Sequence, residues 1–229
     1  MKAKRLIIVL LLIMSLIMLA GCKKTYIFDF AAKQSLGSGD DHWGAHTPPG
    51  DVGYEFLPNG LRLFYTSISS TVTFSGNFSL EYDFDLLDAD SNLLNWLDLM
   101  ITDTHEDLGF LTYDLSFGIG FKDPGQSSGY YYYGQNDAWV EEEGLPEKFN
   151  LYGANKVKIT KTGNKIRIDI NGSKLGEFSL LPSNERPFYR VFAMADYTGS
   201  EDSAGMLLHK VTVNYDEGTL EFIPLFPVP

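Results

Sequence analysis

The sequence predicts an all-β sandwich, and three observations carry that prediction. From residue 26 onward the chain shows almost no helical periodicity. In its place stand short runs rich in Phe, Tyr, Ile and Val, alternating with polar residues and separated by Gly, Asn, Asp, Ser and Pro. Residues 77–87 alternate without a break: Phe78, Leu80, Tyr82, Phe84 and Leu86 fall on one face, and Ser79, Glu81, Asp83 and Asp85 on the other.

Tyr26, Phe28 and Phe30 open the series with a first alternating strand. Residues 37–51 read as a polar loop bearing Gly and Pro. His42 and His46 sit there beside Asp40 and Asp41, but without further His or Cys they read as surface residues rather than zinc ligands. Strands are expected at 54–57, 61–66 and 71–75, then at 77–87, 94–103, 110–121 and 129–133. A charged connection, 141–150, leads to a second half in which hairpin signals are strongest. Val157 and Ile159 pass through Thr162-Gly163-Asn164 into Ile166, Ile168 and Ile170, and Asn171-Gly172 supplies the positive φ of a tight turn into 174–180. Lys156, Lys158, Lys165, Arg167 and Lys174 form a basic outward stripe there, expected to pair across strands with Asp169 and Glu177. Residues 188–195 are apolar on both faces, as in a central strand, and 206–215 and 220–223 complete the set. With no internal repeat and no long linker, residues 22–229 are expected to form one domain.

The N-terminus has a different character. Lys2, Lys4 and Arg5 precede an apolar stretch too short for a lasting membrane span, which ends at Leu19-Ala20-Gly21-Cys22. Those four residues resemble the bacterial lipobox. The resemblance implies a signal peptide over residues 1–21, cleavage between Gly21 and Cys22, and acylation of Cys22 with chains such as palmitate. Two or more chains anchor a protein stably, at about 0.8 kcal/mol per buried methylene. The expected location is the extracytoplasmic face of a bacterial cell membrane, with the lipid bilayer as partner. Cys22 is the only cysteine, so a disulfide cannot support the domain; a chain of about 200 residues buries enough surface to fold without one.

Charge excludes one class of partner. The whole chain carries a net charge of −12, and without the three basic residues of the signal 15 basic side chains face 30 acidic ones, a net −15. That field repels nucleic acid and anionic head groups, so no nucleic-acid partner is expected and the lipid must supply membrane attachment.

Three segments bring a family into view. The run Asn77-Phe78-Ser79-Leu80-Glu81-Tyr82-Asp83-Phe84 resembles the early strand of concanavalin A-like lectin/glucanase domains. Lys156-Val157-Lys158-Ile159 through Asn171-Gly172-Ser173-Lys174-Leu175 is similar to their meander, and Gly205 through Val213 to their returning strand. The resemblance implies a jelly-roll sandwich of two curved antiparallel sheets, with carbohydrate often held on the concave face. Its motifs are structural, so they speak to fold more than to function.

Two stretches are candidate sites. Glu81, Asp83 and Asp85 share one strand face at about 7 Å between neighbours, while a retaining glycosidase needs two carboxyls about 5–5.5 Å apart. Laminarinase-like members of the resembled family carry Glu-x-Asp-x-Glu or Glu-x-Asp-x-x-Glu on a concave strand; here Asp85 stands where Glu is expected. The second stretch is aromatic. Sugar rings stack their C–H faces on Tyr and Trp while their hydroxyls bond to amides and carboxylates. The run Tyr130-Tyr131-Tyr132-Tyr133 followed by Gln135, Asn136, Asp137 and Trp139 supplies both kinds of group. On a strand two of the tyrosines face away from the core, with Tyr131 and Tyr133 taken as the outward pair. Asp88-Ala89-Asp90-Ser91-Asn92 begins like a calcium loop, but Leu93 and Leu99 replace the required Gly and Glu. Structural calcium thus has only the family resemblance behind it, no metal ligands are assigned, and no cofactor is expected.

The expectation is therefore a lipid-anchored carbohydrate-binding domain. The alternatives are a glycoside hydrolase using Glu81, Asp83 and Asp85, or an adhesion module that binds a protein partner.

Overall fold

The computed structural model describes residues 24–36, 43–46, 53–87, 94–103, 117–125, 129–135, 138–182, 189–197, 204–215 and 221–222. The signal segment, Cys22, His42, the calcium-like run 88–92, Asn136 and Asp137 lie outside them. Among the described residues, antiparallel strands form two sheets. The first contains β1 (Lys24–Asp29), β3 (Tyr54–Leu57), β4 (Gly60–Leu63), β6 (Phe78–Leu87), β11 (Asn155–Thr162), β12 (Lys165–Ile170), β13 (Ser173–Ser179) and β15 (Gly205–Tyr215). Its order is β13-β12-β11-β6-β15-β4-β3, with β1 also on β15. The second contains β2 (Trp43–His46), β5 (Tyr65–Phe74), β7 (Leu94–Asp103), β8 (Phe117–Lys122), β9 (Tyr130–Gln135), β10 (Ala138–Glu143), β14 (Tyr189–Tyr197) and β16 (Glu221–Phe222). Its order is β10-β9-β8-β7-β14-β5-β16, with β2 also on β5.

Period-two patterning explains how the sheets meet. Phe78, Leu80, Tyr82, Phe84 and Leu86 of β6 are buried, while the residues between them are half-buried on the outer face. Leu97, Leu99 and Ile101 of β7, and Phe117, Ile119 and Phe121 of β8, face them from the second sheet. Phe78 lies 5.7 Å from Tyr189 and 6.5 Å from Phe117, and Phe149 lies between Phe84 (6.4 Å) and Phe121 (4.8 Å). Each such side chain contributes about 1.5–3 kcal/mol by leaving water. The hairpins form as the turn residues predict, with positive φ at Gly163, Asn171 and Gly172, and β14 lies centrally, between β7 and β5.

One polar group crosses this interior. The Tyr82 hydroxyl, on β6, shares its single proton between the carbonyl oxygens of Met100 on β7 (2.7 Å) and Phe192 on β14 (2.8 Å). Burial holds its pKa well above the ordinary tyrosine value, so the hydroxyl keeps the proton it donates.

Both sheets solve their edges alike. The long strand β15 is covered by β4 along Met206–Leu208 and by β1 along Lys210–Tyr215, and the register slips at His209 between the two. In the second sheet β5 is covered by β2 along Ser67–Ser70 and by β16 at Val72–Thr73, and the register slips between Ser69 and Thr73. A bulge strands ladder groups. Here the Ser70 hydroxyl accepts from the Val191 amide (3.1 Å) and donates to the Val72 carbonyl (2.8 Å).

Three strands depart from the sequence expectation: where separate strands are expected at 61–66 and 71–75, β4 ends at Leu63 and β5 runs unbroken over Tyr65–Phe74, and two further strands differ as follows. Trp43, expected in a polar loop, sits on β2 and is buried 5.4 Å from Phe28 and 5.3 Å from Phe30. The expected connection at 141–150 begins inside β10, an edge strand whose Glu141, Glu142 and Glu143 are exposed; charge suits an edge that must not recruit another chain.

Replacing Tyr82 with Phe leaves two buried carbonyls short of a donor, and the expected cost is about 1–3 kcal/mol. Chemical denaturation of Y82F against wild type measures it; an unchanged midpoint would mean that the crossing bond contributes nothing net.

Candidate functional site

A cleft of about 680 Å³ opens on the outer face of the second sheet, and β8 explains why. Phe117, Ile119 and Phe121 point inward, which leaves Gly118 and Gly120 on the outer face. With no side chain there, larger groups from the flanking strands fold over β8. A Cβ on Gly120 would collide with the Tyr132 ring and the Asp98 carboxylate, and one on Gly118 with the backbone and side chain of Met100.

Strand register sets the cleft out in rows. Glu141, Tyr132, Gly120, Asp98, Met194 and Ser67 pair in succession from β10 to β5. Tyr130, Lys122, Trp96, Asp196 and Tyr65 form the row to one side, and Trp139, Gly134, Gly118 and Met100 the row to the other. Neighbouring strands are about 4.8 Å apart, and rows on one face about 7 Å apart.

Asp98 stands at the centre and is 1% exposed. The Trp96 indole Nε1–H donates to its Oδ2 at 2.6 Å, and the Tyr132 hydroxyl donates to its Oδ1. Burial pushes the Asp98 carboxyl up to about 7, against the opposing pull of the two donors. The rings that cover it stand nearly at right angles: Trp96 and Tyr132 are 5.8 Å apart at 64°, and Tyr132 and Trp139 are 5.2 Å apart at 82°. The floor is thus aromatic and the polar groups few, the usual make-up of a small-molecule or glycan site.

The residues expected from sequence divide between this cleft and other places. Trp139 lines the cleft. Tyr131 and Tyr133 do not: they stack on each other at 6.4 Å on the inner side, packed against the core, and the Tyr133 ring lies over Gly176. Tyr130 and Tyr132 are the outward pair. Four identical residues carry no phase; pairing of Tyr131 with Phe121 and of Tyr133 with Ile119, both inward residues, sets it. Gln135 shares their face and joins two chain segments, donating to the Ser179 carbonyl (2.9 Å) and accepting from the Leu181 amide (3.4 Å).

Glu81, Asp83 and Asp85 lie on the opposite side of the molecule, on the outer face of the first sheet, because Tyr82 between them points inward. Each meets a basic group: Lys158 is 3.9 Å from Glu81, Lys156 is 3.0 Å and Lys210 3.4 Å from Asp83, and His209 Nε2 is 2.9 Å from Asp85. Arg167 with Asp169 and Lys174 with Glu177 extend the pairing. This face is a ladder of ion pairs, set apart from the cleft on the second sheet. Among the described residues no group of three or more His, Cys, Asp and Glu could hold a metal ion.

Trp96, Asp98, Met100 and Glu141 were missed as site residues, although the signal was present. With Leu97, Leu99 and Ile101 inward, period two puts Trp96, Asp98 and Met100 together on the outer face.

No family model and no curated protein matches the chain. Its fold is similar to several solved structures. One is an endo-β-1,3-glucanase from Pyrococcus furiosus, with a TM-score of 0.60 and 11% identity over 84% of this chain and 94% of that one. Another is a non-specific endo-β-1,3(4)-glucanase of family GH16, with a TM-score of 0.63 and 7% identity over 85% of this chain and 92% of that one. A third comes from work on endo-acting O-glycanases of the human gut microbiota that initiate mucin breakdown, with a TM-score of 0.60 and 11% identity over 82% of this chain and 97% of that one. At such identities the likeness shows the fold, a concanavalin A-like jelly-roll sandwich.

The Asp98 carboxyl makes a signed prediction. Its pKa is raised in the folded state, so between about 4 and about 7 the native protein holds a proton the unfolded chain has lost. Stability contributed by this group is therefore lost as pH rises through that window. Asp98→Asn, which carries no charge, should gain stability relative to wild type from pH 4 to pH 7 and hold the gain above, on the order of 2–4 kcal/mol. Denaturation at several pH values checks it; a pH-independent difference would contradict the burial argument.

Proposed function

We propose that this chain binds a glycan in the outer-face cleft of the second sheet, without cleaving it. The observation that carries the reading is the outer face of β7. Laid on that strand, the Glu-x-Asp-x-Glu pattern implied by the family resemblance keeps only its central carboxylate: Trp96 and Met100 flank Asp98. Asp98 is covered, and both its oxygens accept hydrogen bonds from neighbours. It is placed to hold Trp96 and Tyr132 as a platform, not to attack a sugar or protonate a leaving group. The exposed parts of Trp96, Tyr130, Tyr132 and Trp139 offer faces for sugar rings. On a chain with a lipobox, this platform would work at the extracytoplasmic membrane surface, held there by an acylated Cys22.

A hydrolase is the second reading, favoured by the glucanases among the structural neighbours and by a cleft carboxyl with a pKa near 7. Its second carboxyl would be Asp196, diagonal to Asp98 across β14 and β7 on the same outer face.

Screening the purified chain against neutral oligosaccharides, with reducing-end release followed in parallel, separates the two. The binding reading expects association without release, and a loss of at least 10-fold in affinity for Trp139→Ala. Turnover that disappears in both Asp98→Asn and Asp196→Asn would establish the hydrolase instead. For the anchor, Cys22→Ser should abolish incorporation of an alkyne-tagged fatty acid in cells; equal labelling would refute lipidation there.

A further inference from the structure

Acidic groups and ring faces are combined in this cleft, and that combination is selective. Glu141 and Asp196 line it beside the buried Asp98, whereas no Lys or Arg is among its described lining residues. Trp96, Tyr132 and Trp139 stand at steep angles to one another beside Glu141, which pairs across strands with Tyr132. Aromatic faces next to a carboxylate attract an ammonium group through the ring quadrupole and through charge. The protein already makes this contact once. At the end of the cleft, the Lys122 ammonium lies 5.2 Å from the centre of the Tyr130 ring; its hydrogen bond to Tyr130 first, and the charges of Asp123 and Glu141 last, hold its pKa up.

We propose that the cleft prefers a glycan bearing free amino groups, a polymer of de-N-acetylated 2-amino sugars, over its neutral and anionic counterparts. This rests on the glycan-binding reading and names its ligand class. Glu141 and Asp196, within a protein of net charge −12, disfavour uronate or sulfated chains. Lys122 is the like charge that opposes an incoming amine.

The test uses the full chain and three probes at pH 6 and low salt: a β-1,4-linked glucosamine hexamer, its fully N-acetylated form, and a galacturonate hexamer. The glucosamine hexamer should bind at least 10-fold more tightly than the acetylated one, by a margin that shrinks as salt is added, and the uronate least. Glu141→Gln should cut the margin several-fold, and Lys122→Gln should widen it. Equal affinity for the amino and acetylated hexamers, or preference for the uronate, overturns this inference and leaves the glycan-binding reading standing. Failure of all three probes, together with failure of the neutral screen above, overturns both.

Discussion

The Asp98 carboxylate, taken out of water on β7 and held by the Trp96 indole and the Tyr132 hydroxyl, is the interaction on which the cleft depends. A carboxyl is buried at a cost unless donors meet it, so the two rings that meet it are fixed in place. Their position in turn requires Gly120 beneath them, since Tyr132 reaches Asp98 only by crossing β8 where no side chain stands. A carboxylate, two donors and a glycine in one register thus convert the outer face of a flat sheet into a shaped surface.

That surface is tied to the core through the same strand. The Met100 carbonyl, two residues from Asp98, accepts from Tyr82 of the other sheet. The two outer faces of the sandwich then diverge in chemistry. On the first sheet charges of β11, β6 and β15 neutralise one another across the ladder, and Arg167 and Asp169 pair within β12. On the second, aromatic rings and acids line the cleft, and Lys122 stands at its end beside Tyr130. Solvated ion pairs of the first kind add little stability each.

Much of the fold was legible because period two and turn chemistry are local. The alternation of residues 77–87, the Asn171-Gly172 turn and the doubly apolar 188–195 segment needed no partner to be read. Phase and edge strands needed partners. The four tyrosines 130–133 took their orientation from β8, and Trp43-Gly44-Ala45-His46 became a strand only by pairing with β5. The acidic face of β6 was a candidate because its carboxylates, at two-residue spacing, resemble a glycosidase motif. The lysines and histidine that neutralise it come from β11 and β15, about 75 and 125 residues further along the chain. The outer face of β7, with Trp96, Asp98 and Met100 two residues apart, was legible from period two once Leu97, Leu99 and Ile101 are placed inward.

The most direct measurement is an NMR titration of the indole N–H signals with the oligosaccharide that binds. The chain has 3 tryptophans: Trp96 and Trp139 line the cleft, and Trp43 is buried in the aromatic cluster around Phe28 and Phe30. If the cleft is the glycan site, the Trp96 and Trp139 signals move together along one binding curve while that of Trp43 stays fixed. Binding that leaves both cleft indoles unmoved, with shifts instead at Lys156, Lys158 and Lys210 on the opposite face, would contradict the account.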